Sequence, residues 1–78
     1  MEEVSLREGD EFIKLGQLMK KVGWISSGVD AKMLILDELV QVNGEIETRR
    51  GKKIYPGDVV TFEGESIKVT TWLSNQLN

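Results

Sequence analysis

Residues Val40 to Asp58 read V-Q-V-N-G-E-I-E-T-R-R-G-K-K-I-Y-P-G-D. Val40 and Val42 alternate with polar residues, as in a half-buried strand, and Asn43-Gly44 is a strong hairpin signal because both residues tolerate positive φ. A two-residue turn would pair Val42 with Glu45 and place Ile46 on the face opposite the valines. A three-residue loop (Asn43, Gly44, Glu45) would pair Val42 with Ile46 and gather the apolar side chains. Register follows the buried face, so the longer loop is the expectation. Four cations then fall within five residues: Arg49, Arg50, Lys52 and Lys53. Tyr55-Pro56-Gly57-Asp58 closes the run with proline and glycine at the second and third positions of a type II turn.

Toward the C-terminus, Val59–Phe62 and Ser66–Val69 read as two more strands separated by a turn at Gly64. The tail from Thr70 to Asn78 shows no clear period. Toward the N-terminus lies a helix ending near Asp37 or Glu38, with Ser27 as its N-cap and Asp30 three residues on. Its apolar arc is wide (Val29, Ala31, Met33, Leu34, Ile35, Leu36), which predicts packing on two sides, against another helix and a sheet. Lys32 projects within that arc. An earlier helix is expected from about Phe12 to Val22, where Leu15, Leu18, Met19 and Val22 share one face and Gly23 follows as a C-cap. In such a helix Lys14 and Lys21 lie nearly above one another at the stripe's edge, and Lys20 points further out. Glu3–Leu6 alternates as a short edge strand would.

Composition narrows the chemistry. Seventy-eight residues make one domain over 1–78. Cysteine and histidine are both absent, which removes thiolate metal sites and the commonest general base. No glycine-rich phosphate loop or metal-ligand cluster appears. No catalytic residue, metal or cofactor site and no small-molecule substrate is assigned, and the expectation is a protein that is not an enzyme. No apolar run approaches bilayer-spanning length and no signal peptide is visible, so a cytoplasmic location without membrane association is the default expectation.

The net charge is −3, yet it is unevenly placed. Residues 1–13 carry five acids against Arg7 alone, so the acidity sits in the N-terminal segment 1–11 and the cations are grouped downstream. A local positive spot on an anionic chain suits a grip on phosphate. Its bland counterpart is a solvated loop that offsets the acidic segment. Asn43 and Gly44 are turn residues first, and Trp24 and Tyr55 read as packing residues rather than base-stacking ones.

Helix, helix, then a small sheet, with cations on the helices and after the first hairpin, resembles the S4 RNA-binding domain family. The resemblance is carried by I-K-L-G-Q-L-M-K-K-V-G, S-S-G-V-D-A-K-M-L-I, L-V-Q-V-N-G-E-I-E-T-R-R and P-G-D-V-V, spanning about Ile13 to Thr61. It is closest to the small stand-alone bacterial S4 proteins. Two positions depart from the usual pattern: Gly28 stands where many S4 domains have arginine, and Gly16 where many have aspartate. The resemblance implies an α+β fold of the alpha-L type, with two packed helices followed by a small, mainly antiparallel sheet. It also implies a structured RNA, such as ribosomal or transfer RNA, as partner. Lys14, Lys32, Asn43, Arg49 and Arg50 are the contact residues it implies, and charge placement adds Lys20, Lys21, Lys52 and Lys53. The alternative is a protein-interaction module built on the acidic N-terminal segment and the tail bearing Trp72 and Leu73.

Overall fold

In the computed structural model, which describes residues 1–72, Asn43 and Gly44 both take positive φ, 54° and 83°. They form a two-residue turn of the mirror-image type that matches strand twist, joining β3 (Val40–Val42) to β4 (Glu45–Ile46). Val42 pairs with Glu45 and Gln41 with Ile46, so the expected three-residue loop does not form and Ile46 faces solvent. Two physical facts decide this. The Asn43 amide is fastened in place, its Oδ1 accepting from the Val59 N–H at 2.9 Å and its Nδ2 donating to Asp58 Oδ1 at 3.0 Å. And β4 is a two-residue edge strand, so burial has little hold on its register.

The main sheet adds β6 (Val59–Phe62), β7 (Glu65–Thr70) and β1 (Glu2–Ser5) in the order β1-β7-β6-β3-β4. β1 runs parallel to β7 and every other pair is antiparallel. Alternation divides the sheet cleanly. Val40, Val42, Val60, Phe62, Ile67 and Val69 are buried on one face, while Gln41, Thr61, Ser66 and Lys68 occupy the other. The expected turn at residues 55–58 is present: Asp58 N–H donates to Tyr55 O at 3.0 Å and Gly57 has φ 97°.

The first helix, α1 (Leu15–Lys21), starts three residues later than its periodicity predicts. Ile13–Lys14 instead forms β2, paired antiparallel with β5 (Lys53–Ile54). Ile54 is fully buried, and the ladder that places it takes the backbone that helix formation would need. The helix ends as expected, with Gly23 at φ 83° just beyond it. The second helix, α2 (Gly28–Leu36), is capped by Ser27, whose Oγ accepts from the Asp30 N–H at 3.4 Å.

Leu15, Leu18 and Met19 from α1 and Ala31 and Ile35 from α2 share one core cluster with the buried sheet face. Truncating one of these large side chains to alanine costs about 2–5 kcal/mol, a large part of the stability of so small a domain. Trp24 packs as expected, its ring 5.5 Å from that of Phe62 and its Nε1 donating to Glu65 Oε2 at 2.8 Å. The second helix does not pack on two sides. Ala31 and Ile35 are buried, whereas Val29, Met33 and Leu36 remain exposed.

Candidate nucleic-acid interface

The segment after β4 is a loop held by its own backbone and one acid. Glu47 is 9% exposed. Its Oε2 accepts the backbone N–H of Thr48 at 3.1 Å and of Arg49 at 3.0 Å, while Arg49 Nε reaches the same oxygen at 3.0 Å and Nη2 reaches Oε1 at 3.3 Å. The Arg49 side chain, its backbone N–H and the nearby charge of Lys52 hold the Glu47 carboxyl below its ordinary range, against the opposing effect of burial. The same bond pushes the Arg49 guanidinium up. Nothing in the sequence spacing of Glu47 shows that the chain folds back over it, so the sequence alone does not single it out.

The far side of the loop serves α1. Lys14, the residue before that helix, makes no side-chain cap bond. Leu15 N–H donates instead to Lys52 O at 2.8 Å, and Gly16 N–H to Arg50 O at 3.0 Å. The loop carbonyls thus satisfy two amides that every helix start leaves without a partner. Because the backbones meet so closely, the Arg50 stem lies on Gly16: a Cβ added at Gly16 would fall 2.8 Å from Arg50 Cγ. The Arg50 guanidinium reaches across to α2, where Nη1 donates to Gly28 O at 3.4 Å. Both positions that depart from the usual S4 pattern are therefore glycines against which the same arginine lies.

This docking turns the basic loop into a ridge between grooves. On one side, Lys14, Gly16, Gln17, Lys20, Gly28, Arg50 and Gly51 line a groove of about 380 Å³. Along α2, Lys32, Ile35, Leu36 and Thr48 line another that also borders Arg50. On the opposite flank, Arg49, Gly51, Lys52, Lys53 and Tyr55 line a third. Seven of the nine sequence-derived candidates thus gather around one loop. Among the described residues the ion pair here is Arg49–Glu47; Lys14, Lys20, Lys32, Arg50, Lys52 and Lys53 have no carboxylate within salt-bridge distance. Lys14 stands directly opposite Lys53 in the β2–β5 ladder, a like-charge pairing that is destabilising.

Two candidates are placed elsewhere. Lys21 Nζ donates to Ser5 O at 3.1 Å, tying α1 to β1, so the stacking of Lys21 with Lys14 on one helix edge does not occur. Asn43 spends its amide on Asp58 and Val59. Of the residues assigned to the alternative partner surface, Glu2 and Glu3 belong to β1, Trp72 is half-buried and Leu73 lies outside the described residues. Among the described residues, no helix is long and apolar enough to cross a membrane.

The arrangement has relatives. The model of the S4 domain matches residues 4–70. "Putative RNA-binding protein YbcJ" of Escherichia coli (strain K12) is 42% identical over 57 residues, covering 73% of this chain and 81% of that one. "Probable ribosome maturation protein RlbA" of Bacillus subtilis (strain 168) is 48% identical over 54 residues, covering 69% and 76%. The solution structure of E. coli YbcJ, described as revealing an alpha-L motif involved in RNA binding, superimposes with a TM-score of 0.65 at 38% identity, covering 90% of this chain and 87% of that chain. With the α+β architecture, the two adjacent helices and the cation-bearing loop after the first hairpin all in place, this chain belongs to the S4 domain family.

Proposed function

We propose that this protein binds structured RNA, without catalysis, by seating phosphates against the ridge formed by residues 49–53 and the flanking helix edges. The observation that supports this most is the convergence of Lys14, Lys20 and Arg50 on one groove, with no carboxylate neutralising them among the described residues, on a chain of net charge −3. Clustered like charge raises the free energy of the empty protein and lowers it when a polyanion arrives. Arg50 is the central contact: its stem is immobilised on Gly16, so its forked donors are presented at reduced entropic cost. Lys14, Lys20, Lys32, Lys52 and Lys53 act as point charges around it, and Arg49 keeps part of its fork free at 70% side-chain exposure. Such contacts read shape and backbone rather than base sequence.

Ribosomal RNA is the ligand we favour, because one relative is named for ribosome maturation. Crosslinking in cells followed by sequencing of the attached RNA tests both parts. Enrichment of ribosomal RNA over other transcripts is the expected result. Recovery of no RNA above a mock purification would contradict binding itself. The protein-interaction alternative keeps an exposed acidic segment in Glu2, Glu3, Glu8, Asp10 and Glu11 but draws less support from the tail, since Trp72 is half-buried.

A further inference from the structure

Tyr55 is a large aromatic residue that the fold leaves 47% exposed. The turn it opens does not need its ring. Asp58 Oδ2 accepts the Tyr55 backbone N–H at 2.8 Å, and Asp58 N–H donates to Tyr55 O, both of which any residue would provide. The ring meets Phe12 with centroids 5.8 Å apart and planes tilted by 48°, a geometry in which one neighbour cannot cover both faces. Phe12 in turn carries the Lys53 ammonium 4.9 Å from its ring centre. The groove beside Tyr55 is walled by Arg49, Lys52 and Lys53. A π-surface framed by three cations fits an unpaired nucleotide, whose base stacks on the ring while its phosphates meet the charges. A base inside a duplex has no free face to offer.

The groove on the other side of the ridge, bounded by Lys14, Lys20 and Arg50, has no aromatic lining and suits phosphates alone. The two share Gly51. Resting on the RNA-binding reading above, we propose that Tyr55 is a stacking platform for an unpaired base, so that the element held is an RNA helix with a bulged or looped-out nucleotide beside the ridge.

The test compares a labelled RNA duplex carrying a single uridine bulge with the same duplex lacking the bulge, by fluorescence anisotropy. The proteins are the wild type and the variants Tyr55→Phe, Tyr55→Ala and Tyr55→Leu, the last retaining apolar contact with Phe12 should alanine unsettle the fold. Expected are a wild-type preference for the bulged duplex, retention of that preference by the phenylalanine variant, and a loss of about tenfold on the bulged RNA alone for the alanine and leucine variants. Equal affinity of wild type and Tyr55→Leu for the bulged RNA overturns the stacking role and leaves the phosphate-binding reading standing. Wild-type protein that binds neither RNA overturns both.

Discussion

At the scale of single residues the account turns on Arg50 and Glu47. Arg50 is positioned by the absence of a side chain at Gly16, so Gly16→Ala should push the arginine off its seat: the new Cβ would lie 2.8 Å from Arg50 Cγ. Alanine is the better helix former by about 1 kcal/mol, so stability should change little while RNA affinity falls about threefold to tenfold. In an Arg50→Ala background the same substitution should leave affinity unchanged and raise Tm, a double-mutant cycle readable by calorimetry and anisotropy. Glu47 makes a prediction about pH. Its folded-state pKa is depressed below the ordinary 4.5, so its ionised form contributes stability that is present above that pH and is lost as pH falls through the lowered value. Glu47→Gln should therefore melt below wild type at neutral pH, with the gap closing under acid conditions. A constant gap across a pH series of melts would show that the charge is irrelevant. Of these residues, Arg50 was legible as a cation of the loop, but its seat was not. Nothing in a linear reading places residue 50 against residues 16 and 28, and the two glycines stood out only as departures from a pattern.

At the scale of elements, local signals were sufficient where the deciding contacts are local. Ser27 capping α2, Gly23 closing α1 and the Tyr55–Asp58 bonds of the turn at 55–58 all depend on residues within one or two turns of chain. The start of α1 was misread because a partner some forty residues away, Lys53–Ile54, takes Ile13–Lys14 as a strand. The first hairpin was misread because turn chemistry outweighed the gathering of apolar side chains on so short an edge strand. Asn43 is the residue on which that turn depends. Asn43→Ala would leave the Val59 N–H without its side-chain acceptor and Asp58 Oδ1 without the amide that donates to it, and should cost about 1–3 kcal/mol in urea unfolding. If its role is confined to the turn, the residual folded protein should bind RNA with wild-type affinity under stabilising conditions.

For the whole molecule, the architecture brings charges that are distant in sequence to one side of an acidic domain. Lys14 precedes α1 and Lys20 lies in its last turn, Lys32 lies on α2, and Arg49 to Lys53 form the ridge between them. Engagement of about four to six phosphates by this ridge should give a slope of log affinity against log salt of about −3 to −5. A slope near zero would mean that the cations do not meet phosphate. The most direct test separates patch from total charge. Lys14 and Arg50 line the ridge groove, whereas Arg7 and Lys68 border none of the three grooves around the loop, Lys68 lying on the polar face of the sheet. Reversing either pair to glutamate changes net charge by the same amount. With folding verified by circular dichroism, affinity for ribosomal RNA is the measurement. The account predicts a loss of about 100-fold for Lys14→Glu with Arg50→Glu, and less than about threefold for Arg7→Glu with Lys68→Glu. Equal losses for the two pairs, or none for the first, would contradict it.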